Sequence, residues 1–190
     1  MAYATLAELQ DRVTANAANA AVLTGALAAA TQAVDTYTHR NFDLAASATA
    51  RVFSPTRADR VSVDDIATET GLIVKVGRAG AFTTTLTLPT DFWLKPSNAL
   101  GQGWPYEWVY TMGSLVVASY PTVEVTAKWG WPAVPAEVKE ATLLMASRLY
   151  SRKDFPTGVA GFGDYGVVRV TAADTDVARL LDPFYRIATS

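Results

Sequence analysis

The chain has 190 residues, half of them hydrophobic, enough for one soluble domain that buries roughly 70% of its unfolded surface without a metal or disulfide staple. Its 16 basic and 18 acidic side chains leave a net charge of −2 with no long runs, which argues against a dedicated nucleic-acid binder. The absence of cysteine excludes disulfides, thiol catalysis and thiolate metal sites.

At the amino end, Thr5 and Glu8 have capping-box spacing, and Leu6, Leu9 and Val13 follow on one apolar face. The end reads as a capped helix rather than a secretory leader. A second helix is expected from about Asn19, with Val22, Leu23, Ala26, Leu27, Ala30, Val34 and Tyr37 on one broad face. Its alanine-rich stretch is broken by Thr24, Gly25, Thr31 and Gln32, so no bilayer span and no membrane partner are expected. Residues 5–44 are thus predicted to form a helical hairpin.

From residue 50 to 129 the period changes to two. RVFS, RVSV, GLIVKV, TLTL, EWVYTM, SLVVASY and VEVTAKW read as short strands separated by turns, with Asp64-Asp65 among the turn signals. Pro89 to Glu107 reads as a long loop carrying Trp93 and Trp104, a candidate interface. Residues 133–186 are expected to hold the main helix, a short strand and a terminal helix. Pro135 suits a first turn, and Val138, Ala141, Leu144, Met145 and Leu149 make its apolar stripe. The terminal helix is capped by Asp174 and ended or kinked by Pro183. The fold class expected is α+β: a small helical bundle, from the amino-terminal hairpin and the carboxyl-terminal helices, with an inserted antiparallel β subdomain, all in a single domain over residues 1–190.

No catalytic set emerges. Gly161 to Gly166 fits GxGxxG, but a helix precedes it and a strand follows, the reverse of what a dinucleotide pyrophosphate needs. His39, the sole histidine, falls at a helix end and has no GxSxG elbow to serve. Asp64 and Asp65 read as turn chemistry rather than a cation site. Neither a cofactor nor a metal is expected, and the chain is not read as an enzyme. Arg148, Arg152 and Lys153 form the compact basic cluster, which suits a helix carboxyl end, an acidic neighbouring subunit or a DNA backbone. Trp93, Trp104, Trp108, Trp129 and Trp131 can serve as core, as protein interface or as a sugar platform. At least one of Trp129 and Trp131, which flank Gly130, is expected to pack inward.

Tyr37 to Phe42 (YTHRNF), Val61 to Val76, Gly130 to Asp154, FGDYGVVRV and DTDVARLLDPFYR, in this order, resemble the head-to-tail connector (adaptor, head-completion) proteins of tailed bacteriophages. In the first of these segments the resemblance has a small residue, often glycine, where this chain has His39. The resemblance implies a non-enzymatic virion protein at the head–tail junction, assembled in the bacterial host cytoplasm. It implies a homo-oligomeric ring, commonly dodecameric, between the portal protein and a tail-side stopper or tail-terminator protein. DNA would cross that ring without sequence-specific binding. Carried over, Leu181, Asp182, Pro183, Phe184, Tyr185 and Arg186 become the portal contacts. The alternative outside this family is a glycan-binding β module using exposed tryptophans.

Overall fold

The computed structural model describes residues 2–13, 19–78, 81–117, 120–151, 159–160, 168–169 and 175–187. The chain divides into two compact units, one from Met1–Arg40 with Val134–Ala188 and one from Asn41–Ala133.

The first unit holds helices α1 (Leu6–Val13), α2 (Ala20–Thr38), α3 (Ala136–Ser151) and α4 (Thr175–Leu181). Thr5 and Glu8 close the reciprocal box at the start of α1: the Thr5 amide donates to Glu8 Oε2 at 2.9 Å and the Glu8 amide to Thr5 Oγ1 at 3.3 Å. The same helix is tied to α3 by two ion pairs, Glu8 with Lys139 and Arg12 with Glu140. Leu9, Leu23, Leu27, Ala30 and Ala146 are buried together. The buried stripe of α3 is Val138, Ala141, Thr142, Leu143 and Ala146; Val138 and Ala141 belong to the expected stripe, whereas Leu144 and Met145 are half-buried and Leu149 is exposed. Likewise Val22 and Tyr37 are exposed, and Thr31 and Thr38 take the interior of α2 instead. Threonine is tolerated there because each buried hydroxyl donates to the carbonyl four residues earlier, as Thr38 does to Val34 at 2.8 Å.

The hydrogen bond from Lys139, then those from Thr5, pull the Glu8 carboxyl from 4.5 down to about 2. A depressed carboxyl stabilises the folded state above its unfolded value and ceases to do so as pH falls through the folded one. The melting-temperature gap between wild type and Glu8→Gln is therefore expected above about pH 4.5 and to close as the pH falls toward about 2. A gap independent of pH would show that Glu8 acts through packing alone.

The second unit is a sheet: β1 (Thr49–Phe53), β2 (Arg60–Arg78), β3 (Ala81–Leu86), β4 (Phe92–Lys95), β5 (Tyr106–Thr111) and β6 (Val123–Trp129). Strand order is β1-β6-β2-β5-β4 with β3 also on β2, and every pairing is antiparallel. Along β6 the alternation is strict, with Val123, Val125, Ala127 and Trp129 turned into a core that includes Val61, Val63, Ile66, Val74, Phe92, Leu94 and Val109. Two further strands, β7 (Val159–Ala160) and β8 (Val168–Arg169), pair antiparallel as a separate two-stranded sheet and belong to the first unit.

The sheet dominates the fold, which overturns the expected helical bundle with an inserted β subdomain. The helices make no such bundle. The difference turns on β2. Asp64-Asp65 had been read as a turn, yet β2 continues through it for 19 residues and pairs with β5, β6 and β3 in succession. The chain absorbs the strain in bulges. Between Thr68 and Ile73 the strand gains residues on β6, which advances only from Lys128 to Thr126, and Gly71 at φ +78° supplies the left-handed turn required.

Candidate functional site

The carried-over terminal segment folds back on the end of α2. After α4 the chain makes a 3₁₀ turn, Asp182–Phe184, with Pro183 inside it. Leu181 and Phe184 are buried, 1% and 5% exposed, and so serve the interior of their unit. Three hydrogen bonds fasten the segment. The Tyr37 hydroxyl donates to Asp182 Oδ1 at 2.5 Å, Arg40 Nε to the Phe184 carbonyl at 2.8 Å, and the Arg186 amide to the Thr38 carbonyl at 2.9 Å. The last of these satisfies a carbonyl that the end of a helix leaves without an intrahelical partner. The Asp182 contact raises the Tyr37 hydroxyl above its usual range, which keeps it a donor.

What remains outside is a compact aromatic patch. Tyr185, 49% exposed, meets the edge of the Tyr37 ring at 6.3 Å between centroids and that of His39 at 5.4 Å. Ile187 beside it is 76% exposed, and Asp182 and Pro183 are exposed as well. His39 reaches Tyr185 because it occupies the left-handed position after α2, φ 54°, where helices usually place glycine. The patch therefore combines residues from two stretches that lie far apart in the sequence. Tyr37 and His39 are not among the contact candidates that the sequence offers, and only the YTHRNF segment points to them.

The other candidates are dispersed. Arg148 is half-buried in the last turn of α3, and Arg152 and Lys153 lie outside the described residues, as does the Gly161 to Gly166 loop. Asp64 forms an ion pair with Arg51 at 2.6 Å, and Asp65 is buried and accepts a hydrogen bond from Trp131 Nε1 at 3.0 Å. Neither aspartate turns the chain. The region read as the long loop contains β4 and a 3₁₀ turn at Leu100–Gln102. Trp93 lies on β4 and stacks on Tyr110 at 5.9 Å, while Trp104 packs on buried Trp131 at 4.9 Å. Trp129 is buried too, so Trp129 and Trp131 both pack inward. Among the described residues, no group of three or more His, Asp or Glu side chains is placed to hold a metal ion. No described helix is long and apolar enough to cross a membrane.

No protein-family model and no curated protein sequence matches the chain. Solved structures do share its fold. A chain from the virion of a native gene transfer agent (GTA) particle is similar with a TM-score of 0.58 and 19% identity, over 97% of this chain and 90% of that one. A chain from the neck of an empty GTA particle computed with C6 symmetry gives 0.57 and 20% over the same shares. One from the neck of a native GTA particle computed with C12 symmetry gives 0.52 and 20%, again over 97% and 90%.

Proposed function

We propose that this chain is a structural component of the neck of a phage-like particle, forming a ring between portal and tail through which DNA passes. The observation that carries the reading is the fold likeness over 97% of the chain to chains from GTA neck structures, whose C6 and C12 symmetry is that of rings. A ring requires heterologous contacts that close by rotation. The aromatic patch at the end of α2 fits a protein partner, since exposed tyrosines and an isoleucine anchor interfaces with few rotatable bonds. Within the carried-over segment, the portal contact is assigned to Asp182, Pro183 and Tyr185, joined by Tyr37, His39 and Ile187. Leu181 and Phe184 hold the segment in shape.

The test is electron microscopy of particles assembled without the chain and of particles carrying Tyr185→Ala with Ile187→Ala. Deletion is expected to give heads lacking tails, and the double variant is expected to reproduce that defect at an unchanged melting temperature. Phe184→Ala, by contrast, is expected to lower stability by ~3 kcal/mol, as for a buried aromatic. Normal tailed particles from the deletion would overturn the neck reading. Normal particles from the double variant alone would overturn only the docking surface.

A further inference from the structure

The near-neutral composition hides a cluster of cationic and aromatic side chains that only the register of the sheet assembles. Residues directly opposed across antiparallel strands share a face. Arg60 on β2 opposes Tyr110 on β5, which opposes Trp93 on β4; in the next row Ser62 opposes Trp108, which opposes Lys95. Arg57 is bridged to Arg60 across the tight turn that precedes β2, and so extends the first row. This face thus carries Arg57, Arg60 and Lys95 around Trp93, Trp108 and Tyr110. Against them stand Asp59, 4.0 Å from Arg60 Nε, Asp64, two residues beyond Ser62 and already paired with Arg51, and Asp91, two residues before Trp93, whose Oδ2 accepts from the Thr87 amide.

The aromatic rings are not an open platform. Trp93 is stacked on Tyr110, and the Arg60 guanidinium lies over both Tyr110 at 5.3 Å and Trp108 at 5.9 Å, while its Nη1 donates to the Tyr110 hydroxyl at 2.7 Å. The rings instead hold a guanidinium in place. Arginine presents five donors in a rigid fork, and stacking removes much of the entropy it would lose on binding an anion. A fixed fork flanked by a second arginine and a lysine suits oxygen-rich anions spaced along a chain. The same rings leave little free face for stacking bases.

We propose that this face contacts the phosphodiester backbone of double-stranded DNA, weakly and without regard to sequence. The proposal depends on the neck reading only for the presence of DNA nearby; the binding itself is a property of the purified chain and is tested apart from any particle. Few phosphate contacts favour a surface that guides DNA without retaining it, because each contact releases counterions and adds to the salt dependence.

Binding of the full-length chain to a short double-stranded DNA of random sequence, followed by fluorescence anisotropy from low salt upward, tests this. A log–log salt slope of about −3 is expected, from the three cationic side chains at ~0.9 per phosphate neutralised. Arg57→Ala with Lys95→Ala, which leaves the stacked Arg60 in place, is expected to bring the slope to about −1 and to weaken low-salt binding by roughly 10-fold or more. Adding Arg60→Ala is expected to abolish binding, and Lys128→Ala, on β6, to leave it unchanged. DNA binding that survives the triple variant would overturn the proposal, as would no DNA binding at low salt. Tighter binding of single-stranded DNA with tryptophan quenching would overturn it in favour of base stacking. Binding of an acidic polysaccharide but not of DNA would replace it with a glycan site.

Discussion

Replacing Gly130 by alanine is expected to cost on the order of 4 kcal/mol and to leave the sheet unit unfolded over much of the accessible temperature range. Gly130 follows β6 with φ +105°, outside the conformations that other residues adopt readily. Holding a side chain there costs ~1–3 kcal/mol before any contact is considered. The contact is worse. A Cβ at this position would sit 1.7 Å from the carbonyl oxygen of Asp43 and 2.8 Å from its carbonyl carbon. That backbone cannot withdraw easily, because the Ala45 amide donates to the Trp129 carbonyl and the Gly130 amide to the Asp65 carbonyl, both at 2.8 Å. Relieving the overlap means breaking one of these bonds or shifting packed backbone, a further ~1–3 kcal/mol. Denaturant midpoints measure the effect, with Gly25→Ala in α2 as the contrast. Nothing lies within 4 Å of a Cβ added at Gly25, and that helical site is expected to gain ~0.5–1 kcal/mol. A wild-type midpoint for the Gly130 variant would show that the Asp43 segment is free to move.

Gly130 also marks what could be read in advance. WGW was legible as a junction with an inward tryptophan, since a large aromatic on either side of a glycine at a strand end has few other places to go. The capping box at Thr5 and Glu8 was legible because both partners lie within one turn. Asp64-Asp65 was misread for the opposite reason. Local rules favour a turn for two adjacent aspartates, but Arg51 and Trp131 supply long-range partners that let the strand continue. SLVVASY looked like a strand by β-propensity alone. In the structure its residues 114–117 lie in no strand, held through the Leu115 amide bound to the Ala58 carbonyl, and Val117 is 54% exposed. FWLK was lost inside a run of prolines and glycines that looks like loop, although β4 pairs with β5 there.

The same division applies to the surfaces. The terminal segment stands out in the sequence through its resemblance to connector proteins, but spacing could not reveal that Tyr37 and His39 pack against its Tyr185. The cationic face was illegible because net charge averages over the chain, and its members come from separate strands that only the register aligns.

Asp65→Ala is expected to cost ~3 kcal/mol, and Asp65→Asn appreciably less. Asp65 is 5% exposed and accepts from Trp131 Nε1, and Trp131 is itself 1% exposed. The indole is packed on Phe42 and Trp104 with centroids 5.0 and 4.9 Å away, so it cannot turn its N–H toward water without breaking that cluster. Truncating Asp65 removes the acceptor from a buried donor, ~1–3 kcal/mol, and leaves the space of a carboxyl group in a packed interior. Asparagine keeps an oxygen of the same reach, so most of the first cost is avoided. Trp131→Phe removes the donor instead, and once it is gone the loss of Asp65 costs less. A double-mutant cycle of Asp65→Ala with Trp131→Phe is therefore expected to give a coupling of ~1–2 kcal/mol by chemical denaturation. Strictly additive losses would mean that the hydrogen bond contributes nothing beyond the packing, and that the long β2 strand is held at this point by its neighbours on β5 and β6 alone.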